Sequence, residues 1–99
     1  MRGMIQVKFT LGQVVMTRGV NDTIAESADF SLFIINSIRR YVLCDWGEMP
    51  SEDAMMNDSA VKNDDDRIVA RYNNEEHGDI YIITEYDRSV TTILFTNEY

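Results

Sequence analysis

The chain of 99 residues contains one proline, one cysteine, one histidine and one tryptophan, and only nine of its side chains are basic against 17 acidic. A lone cysteine, Cys44, cannot close an internal disulfide, so nothing marks an oxidising compartment. With a formal net charge of -8, the chain lacks the Lys and Arg that displace counterions from a phosphate backbone, and no direct nucleic-acid binding is expected. The longest apolar-rich run, Phe30 to Leu43, is broken by Asn36, Arg39 and Arg40 and is too short to span a bilayer. Met1 to Lys8 alternates like a strand and has no secretory apolar region. The expectation is a cytoplasmic protein that does not engage a membrane.

Motifs of catalysis are also missing. There is no glycine-rich phosphate loop, nucleophile elbow, zinc-ligand spacing or dinucleotide fingerprint, which weakens an enzymatic reading, and no cofactor is expected. Asp64, Asp65 and Asp66 lack the spacing and bidentate glutamate of a calcium loop and read as a solvated charge run at a helix end, with no metal.

What remains is ordinary globular material, 44% hydrophobic and 26% charged, enough for one domain over residues 1–99. Its centre is Asp79 to Phe95, two blocks of β-branched and aromatic residues around a polar break, which predicts a hairpin. A two-residue loop at Asp87-Arg88 would oppose Thr84 to Thr91, Ile82 to Ile93 and Ile80 to Phe95. These six side chains would form the core face, with Tyr81, Ile83, Glu85, Val90, Thr92 and Leu94 on the other. Asp-Arg is not a favoured pair for such a turn, so a longer loop with another register also stands.

Met4 to Thr10 alternates as a first strand, and Leu11 to Gly19 reads as a turn and a short apolar segment, a candidate further strand. Asn21 or Asp22 would cap a short helix ending near Ser27. Phe30, Phe33, Ile34, Ile38, Tyr41 and Val42 recur at helical spacing, with Asp29 or Ser31 as cap and Arg39 and Arg40 at the dipole-favoured end. Leu32 and Ile35 lie off that stripe and suggest burial on a second side or a self-association surface. After the Cys44 to Pro50 turn, Ser51 would cap a helix from Glu52 to about Asn63. Arg67 to Tyr72 follows as a strand and Asn73 to Gly78 as a loop. The predicted class is α+β: an N-terminal strand, two to three helices, then a three-stranded antiparallel meander with helices packed on one face.

Few polar groups stand out as candidates. Trp46, between Asp45 and Glu48, has two readings: an exposed binding anchor, or a ring closing the core with its N–H on a carboxylate or carbonyl. Glu85, Asp87 and Arg88 surround a rigid turn, where function tends to be placed, and Arg67, Arg71 or Arg88 could pair with Glu85 or Asp87. Asn57 completes a candidate binding set of Asp45, Trp46, Glu48, Asn57, Glu85, Asp87 and Arg88. No catalytic residue is assigned. His77 reads as an exposed loop histidine, and Cys44 as a small buried apolar residue.

Leu11-Gly12-Gln13-Val14-Val15, Asp45-Trp46-Gly47-Glu48, Ile83-Thr84-Glu85 with Asp87 to Leu94, and a terminal Glu98-Tyr99 together resemble a family of short proteins carried on bacterial plasmids, phages and integrated elements. The chain departs from that pattern at Tyr86, where a small residue is usual, and at Phe95-Thr96-Asn97. The resemblance implies a mobile-element accessory protein and transfers no site residue. Combined with the acidity, it gives the expectation of a non-enzymatic protein that binds a host protein with a basic surface, such as a nucleic-acid-handling or defence factor. A small ligand-binding domain or enzyme around Trp46, Glu48, Glu85 and Arg88, and a structural homodimer, are the alternatives.

Overall fold

The computed structural model describes residues 8–99. Its elements are β1 (Gln13–Met16), α1 (Arg18–Glu26), α2 (Ala28–Val42), α3 (Ser51–Asn63), β2 (Ile68–Tyr72), β3 (Ile80–Thr84) and β4 (Val90–Phe95), then a 3-10 turn over Thr96–Glu98. The class is α+β, with three helices and a four-stranded sheet in the order β1-β4-β3-β2. β2, β3 and β4 pair antiparallel as a meander, but β1 runs parallel to β4, so the sheet is mixed and larger than the predicted three strands. A parallel neighbour needs a crossover, and α1 to α3 with β2 and β3 supply it. Most of the predicted first strand, Met4 to Thr10, lies outside the described residues. Its described end is not a strand, for Phe9 is buried against Tyr41 and Trp46 instead.

The hairpin has the register argued from its cross-strand pairs, with Ile80 opposite Phe95, Ile82 opposite Ile93 and Thr84 opposite Thr91. The loop, however, is not the two-residue turn. Arg88 N donates to the Glu85 carbonyl at 2.9 Å, Glu85 N to the Val90 carbonyl at 3.0 Å, and Arg88 takes a left-handed φ of 62°. A four-residue loop, Tyr86 to Ser89, therefore preserves the pairing while avoiding the primed turn that Asp-Arg disfavours.

Helix starts differ from expectation because the capping oxygens are other ones. Thr17, not Asn21 or Asp22, caps α1 by accepting from Val20 N, and Ser27, not Asp29 or Ser31, caps α2 by accepting from Phe30 N. Ser51 is already helical, and Pro50 stands at the cap with no side-chain bond. Both α2 and α3 end in a left-handed residue that is not glycine, Cys44 at φ 65° and Asp64 at φ 53°. The following amides close back on the helix, Asp45 N to the Arg40 carbonyl and Asp65 N to the Ala60 carbonyl.

α1 and α2 cover one sheet face, and Phe30, Ile34 and Tyr41 meet Ile68, Ala70, Ile80, Ile82 and Ile93 in the core. Leu32 and Ile35 stay exposed on α2, so the second side of that helix is not buried within the monomer. A chain of hydroxyls crosses the core. Tyr41 Oη to Thr84 Oγ1, Thr84 Oγ1 to Thr91 Oγ1 and Thr91 Oγ1 to the Leu11 carbonyl are each 2.7 Å. A carbonyl only accepts, so every donor in the chain points from Tyr41 towards Leu11. α3 lies apart from the other helices, along the β2 edge of the sheet.

Candidate functional site

The β2 edge accounts for several of the polar residues singled out above. In this antiparallel strand, Val69 and Arg71 turn their backbone groups away from β3. The Asn57 side chain meets Val69 as a strand would, its Nδ2 donating to the Val69 carbonyl at 2.8 Å and its Oδ1 accepting from Val69 N at 3.2 Å. Arg71 N donates to the Trp46 carbonyl at 3.3 Å and Glu48 N to the Arg71 carbonyl at 2.7 Å. Gly47, at φ 70°, makes this possible, since a Cβ there would sit 2.0 Å from the Arg71 oxygen.

Trp46 is buried, and its indole N–H donates to Asp58 Oδ1 at 2.9 Å. That is the core reading, and it removes the exposed anchor. Asp45 is tied into the same turn, bonding Arg40 Nε at 2.8 Å and Gly47 N at 3.1 Å. The Arg40 bond holds its carboxyl below the ordinary aspartate range. Its carbonyl takes the Tyr72 hydroxyl at 2.7 Å; burial pushes the Tyr72 phenol up, as it does the Tyr41 phenol.

Arg88 does not meet Glu85 or Asp87 through their carboxylates. Only 8% exposed, it runs inward to the end of α3, where Nη2 donates to the carbonyls of Ala60 at 2.9 Å and Asp65 at 3.1 Å. Nη1 donates to those of Asp66 at 2.6 Å, Tyr86 at 3.2 Å and Glu85 at 3.3 Å. The guanidinium thus neutralises the negative end of the helix and locks the β3–β4 loop to it. Asp87 is spent on the loop itself, bonding the Ser89 hydroxyl and amide, which lower its pKa. Arg71 pairs with Asp79 at 2.7 Å, not across to Glu85. The His77 ring is half-buried against Phe30, with centroids 5.3 Å apart. Cys44 is also half-buried, and desolvation raises its thiol pKa.

The seven candidate residues are therefore not brought into one site. Two of them, Glu48 and Asn57, line a cleft of about 550 Å³ between α3, β2 and Tyr99, with Asp53, Met56, Arg67 and Asp66. A second cleft of about 590 Å³ lies between α3 and the hairpin loop, lined by Met56, Ser59, Asp65, Asp66 and Tyr86. The two clefts share Met56 and Asp66. Around them Met55, Met56 and Tyr86 are 70%, 61% and 68% exposed. Sequence reasoning missed this surface, although a signal was there: α3 and its flanks, residues 45–66, hold eight carboxylates and one lysine, seven of the eight net negative charges.

Among the described residues no cluster of three or more His, Cys, Asp or Glu is placed to hold a metal ion, and no helix is long and apolar enough to cross a membrane. No family model, curated protein or solved structure matches the chain.

Proposed function

We propose that the protein is a non-enzymatic binding module that engages the basic surface of another protein through the outer face of α3. One observation carries this reading: residues 45–66 hold seven of the eight net negative charges, and Glu48, Asp53, Asp65 and Asp66 line the clefts beside exposed Met55, Met56 and Tyr86. Carboxylates supply attraction and steering towards a cationic partner, while two methionines and a tyrosine supply adaptable apolar contact. The Trp46 indole and the Arg88 guanidinium, which a small-molecule site there would have used, are bonded into the fold. The resemblance to mobile-element proteins makes a host nucleic-acid-handling or defence factor the partner of choice.

The test is affinity capture from host lysate at low and moderate salt, run with the wild-type chain, with Met56→Lys/Asp53→Lys, and with a control pair on α2, Leu32→Lys/Asp29→Lys. One protein retained in stoichiometric amount, shed as salt rises, lost with the α3 variant and kept with the α2 variant supports the reading. Retention that ignores salt, or that survives the α3 variant, overturns it.

A further inference from the structure

The two edges of the sheet are treated in opposite ways. On β2 the outward groups of Val69 and Arg71 are occupied by Asn57, Trp46 and Glu48. At the other edge, Gln13 N and Thr17 N donate to the Ser89 and Ile93 carbonyls at 2.9 and 3.1 Å. Those two residues, and Val15 between them, face β4 with their backbone groups. Val14 and Met16 consequently present their N–H and C=O groups outward, and no described strand pairs with them. The edge is built of exposed Val14 and Val15, with no lysine, proline or bulge to blunt it.

We infer that this edge is a self-association surface on which a second copy of the chain docks its own β1, antiparallel, across a two-fold axis at Val15. The geometry is self-complementary. Outward groups two residues apart about a central Val15 place Val14 opposite Met16 of the second copy, and the reverse, each pair exchanging hydrogen bonds in both directions. The two Val15 side chains meet on the axis, on the sheet face away from α1 and α2.

Charge selects the same occupant. From Phe9 to Asn21 the sequence has no carboxylate, and the acidic α3 flank lies at the opposite edge, so two copies of a chain of charge -8 can approach here. The strand is flanked by charges of both signs. Exposed Arg18 follows β1 at one end, where Glu98 accepts from the Thr17 hydroxyl at 2.9 Å, and Asp87, bonded to the Ser89 that receives Gln13 N, stands beside the other. Antiparallel docking carries each Arg18 towards the Asp87 of the other copy. Because β1 and α3 occupy opposite edges, the joined sheet would display two acidic α3 faces at its far ends, although the association does not depend on what α3 binds.

The test is sedimentation velocity of the full chain across a concentration series, from ~10 µM to ~1 mM, because a four-residue strand makes a small and weak interface. The wild-type sedimentation coefficient should rise with concentration towards that of a dimer. Val14→Pro deletes an outward N–H and spares the β1–β4 bonds, and Val15→Lys places charges on the axis; both should hold the monomer value throughout. In a Cys44→Ser background, Val15→Cys should oxidise to a covalent dimer at least tenfold faster than Gln13→Cys, since only position 15 meets its own copy at disulfide range. A wild-type chain that remains monomeric throughout, a Val15→Lys variant that associates like wild type, or equal cross-linking at positions 13 and 15 overturns the inference. Should Val14→Pro fail to fold, Val15→Lys and the cross-linking pair still decide it.

Discussion

Arg88 Nη2 and the Ala60 carbonyl are 2.9 Å apart, and this bond fastens the β3–β4 loop to the last turn of α3. Four further carbonyls share the guanidinium, whereas the nearest carboxylate, exposed Asp64, lies 3.7 Å from Nε. The buried cation is held chiefly by peptide dipoles. Removing it leaves several carbonyls without their donor, so Arg88→Ala should destabilise the fold by about 3 kcal/mol. Arg88→Lys should recover less than half of that, because an ammonium has three donors and no planar fork. Asp64→Asn should stay within ~0.5 kcal/mol. Urea unfolding ranks the three; an Arg88→Ala loss below ~1 kcal/mol would refute the assignment.

The sequence made Arg88 visible as a charged residue in a turn, but not where its side chain goes. Facing partners is a property of strand pairing, and the register of β3 and β4 could be read because Ile80, Ile82 and Thr84 each find a matching residue opposite. The length of α2 was legible for a similar reason, its apolar spacing being local. β1 was legible only as a candidate strand within Leu11 to Gly19, and its parallel pairing was not, since Gln13 to Met16 pairs with residues more than seventy positions away and four residues carry little period of their own. Trp46 was legible only as a choice between two environments, which Asp58 resolves from α3. The surface of α3 escaped because each of its residues is unremarkable alone; charge and exposed methionine become a site only when folded onto one edge.

Thr84 is the middle link of the buried hydroxyl chain, accepting from Tyr41 and donating to Thr91. Thr84→Val keeps the shape and deletes both bonds, leaving the Thr91 hydroxyl without its donor while Tyr41 keeps its 3.3 Å bond to the Ile68 carbonyl, and should cost about 2 kcal/mol. Tyr41→Phe, which removes the group at the end of the chain, should cost about 1 kcal/mol. A double-mutant cycle should show that the two losses are not additive. Additive losses in thermal unfolding would mean that the hydroxyls do not act as a connected chain.

Asn57 substitutes for a neighbouring strand, so its amide cannot be replaced by a carboxylate. Asn57→Asp retains an acceptor for Val69 N but faces the Val69 carbonyl with a second oxygen. It should lose about 2 kcal/mol or more, comparable with Asn57→Ala. Both should also uncover an edge and raise the aggregation rate on warming. Light scattering during a thermal ramp reads this directly; an Asn57→Asp chain as stable and soluble as wild type would show that the edge is closed without it.

Acid should weaken the fold through three turn carboxylates. The Arg40 bond lowers the pKa of Asp45, the Arg71 bond that of Asp79, and the Ser89 hydroxyl that of Asp87. In the unfolded chain each returns to about 3.9. A pKa lower in the folded state means that folding favours the ionised form. The stabilisation is therefore complete above the unfolded value and is lost as pH falls through the folded ones, below ~pH 4. Asp45 and Asp87 are exposed and Asp79 is half-buried beside solvent, so the effect of each is small and screened by salt. In Asp45→Asn/Asp79→Asn the urea midpoint should be lower than wild type at neutral pH, and the gap should close as pH drops from about 5 to about 2.5. A gap that stays constant over that range would show that the two ion pairs contribute nothing that depends on ionisation.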